Sequence, residues 1–182
     1  MTKLLLSIHV LAAIVAIGPV TVAASMFPAA TRRALAEPAD PRGVAVLRNL
    51  HRICRVYATL GVLVPVFGLA TARSLGVLGD AWLITSIIVT AGAAAVLIVL
   101  VLPGQAAILA DDRLVGDTSR PSGAAILADG RLVGGDPGRP SGAAIRGRRA
   151  AARLGMVTGI FNLLWAVVVV LMIVRPGSTT GA

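Results

Sequence analysis

Residues 81–102 read AWLITSIIVTAGAAAVLIVLVL, 22 consecutive positions without a charged side chain. At ~1.5 Å of rise per helical residue, such a run is long enough to cross a hydrocarbon core of ~30 Å. Three further apolar stretches occupy the 182-residue chain, Leu4 to Phe27, Ile53 to Leu75 and Leu154 to Val174. Inside a bilayer, backbone polar groups find no water, so a lone apolar segment satisfies them by becoming helical. The sequence therefore predicts an all-α fold, a polytopic membrane four-helix bundle with helices at about 4–27, 53–75, 81–102 and 154–174.

Composition supports this reading. Hydrophobic residues make up 57% of the chain and charged residues 14%, where a soluble domain would carry about 25% charged; the mean hydropathy is +0.88. Only short tails, a turn and two polar loops lie outside the four stretches, so residues 1–182 read as a single integral membrane domain.

The net charge of +9 is unevenly placed. Arg32, Arg33, Arg42, Arg48, Arg52 and Arg55 lie between or at the edges of the first two stretches, against Glu37 and Asp40. Eight arginines from Arg113 to Arg153 lie between the last two, against five aspartates. The turn after the second stretch has only Arg73 and Asp80. Basic loops beside membrane segments face the cytoplasm, which predicts both termini to be extracytoplasmic and the cell membrane as the location. The same arginines would attract anionic lipid headgroups at the cytoplasmic face. No aromatic residue is interleaved with them to stack on bases, which argues against a nucleic-acid partner.

The first stretch has features of a signal peptide, with Lys3 in front and Val22-Ala23-Ala24-Ser25 behind. Its apolar part exceeds the ~7–15 residues of a typical signal core, and Arg32-Arg33 follow closely, so a retained helix is expected. One cysteine, Cys54, excludes an internal disulfide and any multi-cysteine metal site.

Small residues mark expected packing seams. Gly155-xxx-Gly159 opens the fourth helix, Gly68-xxx-Ala72 closes the second, Ala91-xxx-Ala95 lies in the third and Ala12-xxx-Ala16 in the first. Gly18-Pro19 and Pro65 are expected to interrupt the first two helices, because proline lacks a backbone donor. Asn162, near mid-membrane, should bond across to another helix, whereas Thr85, Ser86 and Thr90 can bond to their own backbone.

The polar loop 103–153 holds a tandem duplication: AAILADDRLVGDTSRPSG at 106–123 is followed by AAILADGRLVGGDPGRPSG at 124–142. Two units of this length do not make a solenoid, and their Gly, Pro, Ser and Asp content reads as a flexible loop. Asp111, Asp112 and Asp129 lack the spacing of a calcium loop.

His9 and His51 carry the most suggestive chemistry. His9 sits inside the first helix, where an ionisable group is a functional hypothesis by default; its readings are a cofactor ligand or an interhelical hydrogen bond. His51 begins the second helix from the opposite end of the bundle, so the two imidazoles should lie ~20 Å apart in a core of ~30 Å and cannot ligate one haem iron.

Ser7-Ile8-His9-Val10-Leu11-Ala12-Ala13-Ile14 with Gly18, the Arg48-to-Arg55 lead into a Pro- and Gly-containing helix, and Leu171-Met172-Ile173-Val174-Arg175-Pro176-Gly177 resemble a family of bacterial predicted integral membrane proteins of unknown function. That family is distantly similar to copper-resistance D-type membrane proteins and membrane-bound protoporphyrinogen oxidases, which share a four-helix core and an early histidine resembling His9. The resemblance implies haem as a cofactor held through His9. It does not extend to the oxidase reaction, since alignment on Trp82 puts Ser86 where the oxidases carry a lysine, and serine cannot bear that charge. Met26, Met156 and Met172 are scattered, so no soft copper site is expected.

No paired acid, base or nucleophile occurs in the spans, so no catalytic or metal-ligating residue is assigned. The expected function is a non-enzymatic helical bundle or accessory subunit, alone, as a homo-oligomer or with a membrane partner. The alternative is a haem- or porphyrin-handling redox protein using His9.

Overall fold

The computed structural model describes residues 2–37, 40–111 and 142–176. All regular structure among them is helical: α1 (Thr2–Ala36), α2 (Pro41–Leu60), α3 (Leu63–Leu75), α4 (Ala81–Ala95), a π-helical stretch Val96–Val101, α5 (Leu102–Leu109) and α6 (Gly142–Val174). Stacked end to end, these form four rods long and apolar enough to cross a membrane, Lys3–Ala36, Pro41–Leu75, Ala81–Leu109 and Ile145–Val174. Between 11 and 22% of residues in their most apolar windows are buried within the chain, so most of that surface requires an apolar solvent.

The rods extend beyond the apolar runs at the arginine-rich end. Helix α1 continues to Ala36 and α2 begins at Pro41, so Arg32, Arg33 and Arg48 to Arg55 are helical rather than loop residues. The turn between them is short because Asp40 starts α2 directly: its Oδ1 accepts the Arg42 N–H at 2.9 Å, with Pro41 in the first turn. This side-chain cap satisfies an amide that the helix leaves free. Asp40→Ala is expected to cost about 1 kcal/mol of stability, read as a lowered thermal midpoint in detergent. Most of the duplicated segment, 112–141, lies outside the described residues, but Ala106 to Leu109 of its first copy form the end of α5.

The prolines act differently from one another. Helix α1 runs unbroken through Pro19 and Pro28, contrary to the interruption expected at Gly18-Pro19. Pro65 does break the second rod. Lacking an N–H, it leaves the Gly61 carbonyl without its usual partner, and Val64 N–H takes that carbonyl in a tighter turn at 3.2 Å. Pro103 likewise removes the donor for Val99, and the widened π-helical turns precede it immediately. Their extra residue per turn keeps the buried positions Ala93, Leu97, Val101 and Gln105 on one face.

Helix α1 is the hub, packing against α2, α3 and α6, while α4 packs on the far side of α6. Its buried residues Ala16, Val20, Ala23, Phe27, Thr31 and Ala34 recur every three or four positions, the spacing of a bundle seam. Helices α2 and α5 meet at the arginine-rich end and close the ring there. At the opposite end α3 and α4 touch only around their turn, where Ala72, Val77, Trp82 and Leu83 form a small separate cluster. Gly76 ends α3 at φ +72°, a left-handed conformation that glycine adopts without a Cβ penalty, and lets Val77 N–H bond back to Ala72.

Candidate functional site

Polar side chains between the rods form three separate centres. In the first, His9 of α1 is 9% exposed and faces α3, its Nδ1 lying 2.9 Å from the Val64 carbonyl oxygen. A carbonyl can only accept, so Nδ1 carries the proton and donates, and in the neutral ring Nε2 is the lone-pair nitrogen. The ring rests on Gly68: a Cβ there would lie 2.9 Å from His9 Cε1. The glycine is thus what lets the imidazole approach the α3 backbone.

The second centre lies at the arginine-rich end. Gln105 of α5 is fully buried; its Oε1 accepts from His51 Nδ1 at 2.9 Å and its Nε2 lies 3.5 Å from Cys54 Sγ. Burying an amide is costly unless both its groups find partners, and α2 supplies both from successive turns. Cys54 is buried and serves as a weak acceptor. Gln105→Leu should cost about 1–2 kcal/mol, because His51 loses its acceptor while remaining packed at the helix contact. Thermal unfolding of the purified variant checks this.

The third centre joins α6 to α1. Asn162 Nδ2 donates to Ser25 Oγ at 3.0 Å. Asn162 Oδ1 and Thr158 Oγ1, one helical turn apart, are buried without a hydrogen-bond partner. Ser86 of α4 is fully buried, and its hydroxyl bonds back to the Trp82 carbonyl at 2.8 Å. At the far end Asp80 Oδ2 accepts from Trp82 Nε1 at 2.9 Å, and the Arg175 guanidinium sits 5.7 Å from the centre of the Trp82 ring, tying the end of α6 to the start of α4.

His9 and His51 are not brought together. His9 bonds to Val64, which lies thirteen residues beyond His51 along the same rod, about 20 Å at ~1.5 Å per residue. Among the described residues no group of three or more His, Cys, Asp or Glu side chains could hold a metal ion. Of the α6 glycines, Gly147 is packed against α1, where a Cβ would lie 2.9 Å from Leu35, whereas Gly155 and Gly159 lie beside the buried face rather than in it. A Cβ on Gly155 would make ordinary contact with Pro28 at 3.7 Å, one on Gly159 would meet nothing within 4 Å, and the buried positions are Leu154, Thr158 and Phe161.

Sequence reading missed Gln105. It follows Pro103-Gly104, just past the apolar run, inside the segment expected to be loop. A lone amide flanked by Ala106-Ala107-Ile108-Leu109 was the available signal, since apolar periodicity continuing through it implies a longer helix. The chain matches no family model, no curated protein and no solved structure.

Proposed function

We propose that this chain is a multi-pass protein of the cell membrane, with both termini outside and the arginine-rich end in the cytoplasm, acting as a non-enzymatic bundle or accessory subunit. One observation carries the reading. The polar groups between the rods bond mainly to one another or to backbone, as in His9 to Val64, His51 to Gln105 and Asn162 to Ser25. Such bonds fix helix register and, among the described residues, leave no acid–base or nucleophile pair facing a cavity. The Arg32-to-Arg55 and Arg146-to-Arg153 groups at one end support the orientation. Similarity to the bacterial membrane family described above fits the same reading.

The outward face of α6, with Gly159 open beside exposed Met156 and Leu163, supports assembly with a second copy or a membrane partner. Crosslinking in native membranes through Gly159→Cys, in a Cys54→Ser background, tests it: a crosslinked species is expected, and a strictly monomeric chain counts against the subunit reading. Labelling of Ser178→Cys with a membrane-impermeant maleimide in intact cells tests the orientation, and protection of that site would reverse it.

A second reading rests on His9 alone. Because Nδ1 is committed to Val64, Nε2 is the nitrogen a haem iron would take. His51 is too distant to hold the same group. The visible spectrum of the purified protein, with and without added haem, separates the two. A Soret band that disappears in His9→Ala favours haem; a colourless protein indifferent to haem favours the bundle.

A further inference from the structure

We propose that Arg48, Arg52, Arg55 and His51 form a binding site for a phosphate group, an inference that rests on the membrane reading above. The four residues fall at positions i, i+4, i+7 and i+3 of α2, on a face beside the one that buries Leu47, Leu50 and Cys54. With Thr59, Val56 and Leu109 they line a groove of about 360 Å³ where α2 meets α5. That is near the small end of ligand-binding cavities, suited to a headgroup and too small for a porphyrin.

Three guanidinium groups along one helical face repel each other, and none makes an ion pair among the described residues. An anion seated between them relieves that repulsion, and arginine's planar fork matches phosphate oxygens in pairs. The fourth member is held in place from behind. Gln105, fully buried, accepts from His51 Nδ1, which leaves Nε2 with the lone pair, able to accept from a hydroxyl of the ligand while the arginines take the phosphate oxygens. Thr59 gives its hydroxyl proton to the Arg55 carbonyl at 3.0 Å and so forms wall rather than donor.

Phosphate reaches such a groove as a lipid headgroup or as a soluble anion. Exposed Val56, Leu60 and Leu63 continue from the groove along the rod, offering an apolar track for an acyl chain. This favours the lipid.

The test uses the full chain in an uncharged detergent, titrated separately with phosphatidylglycerol, phosphatidylcholine and inorganic phosphate and read by native mass spectrometry and calorimetry. Arg48→Gln/Arg52→Gln should weaken phosphatidylglycerol binding at least tenfold. Arg32→Gln/Arg33→Gln, with the same loss of charge at the same end, should leave it within about twofold in a micelle that carries no surface potential. Arg52→Lys keeps the charge but loses the fork, so a several-fold loss is expected even if the double variant folds poorly. The same pattern with inorganic phosphate and no lipid preference supports the site with a soluble ligand. Equal losses in both double variants, or no binding of either probe by the wild type, overturn it. Alkaline extraction of membranes separates the two failures: protein that washes off refutes the membrane reading, while retained protein that ignores phosphate refutes only the site.

Discussion

Gly68→Ala is expected to lower stability by about 2 kcal/mol in the wild-type chain and to raise it by up to about 1 kcal/mol in a His9→Ala background. The added methyl would lie 2.9 Å from His9 Cε1 and 3.2 Å from Nδ1, so the ring must move. Overpacking of this kind typically costs ~1–3 kcal/mol. Moving the ring also breaks the Nδ1 bond to Val64, worth ~0.6 kcal/mol on average between membrane helices. Without the imidazole the methyl enters free space, and alanine is intrinsically the better helix former by ~1 kcal/mol. The sign of the glycine's effect thus depends on His9, and a double-mutant cycle from reversible denaturation in mixed micelles measures it. Additive effects would mean that the two residues do not touch.

The same pair shows what was legible in the chain. Gly68 was read as part of a small-residue seam and His9 as a choice between ligand and interhelical bond. Neither reading joined them, since nothing in a single sequence sets the rotation of α1 against α3. The four rods, their order and their antiparallel run were readable because each apolar run exceeds the hydrocarbon thickness, a constraint local to each segment. Their ends were not, because helix outlasts apolarity at the arginine-rich end, as at Arg32 and Arg48. Gln105 was lost to the same cause. Asn162 was visible as a lone mid-span amide, but its partner Ser25 lies 137 positions away, a pairing that only packing determines. The duplicated loop was conspicuous in sequence, yet its second copy lies almost wholly outside the described residues.

Phe27→Ala is the other substitution with a large expected effect, and its size discriminates between two sources of stability. Phe27 is completely buried on α1, in a core that draws Leu47 and Cys54 from the second rod, Leu97 and Val101 from the third and Phe161 from the fourth. In water-soluble proteins a Phe-to-Ala change costs ~3–5 kcal/mol, a sum of lost transfer energy and the cavity left behind. Between membrane helices the transfer part largely vanishes, because lipid tails are as apolar as the core. The cavity part persists: at ~24 cal/mol per Å³ of void, a void of roughly 100 Å³ gives about 2 kcal/mol. Leu163, on the adjacent rod but 65% exposed, faces outward and leaves no void when trimmed, so Leu163→Ala should cost under about 0.5 kcal/mol. Reversible unfolding of both variants in mixed micelles gives the comparison. A Phe27 loss near 2 kcal/mol beside a negligible Leu163 loss indicates a bundle held by packing around α1, whereas comparable losses at both positions would mean that burial from water, not fit between helices, holds the chain together.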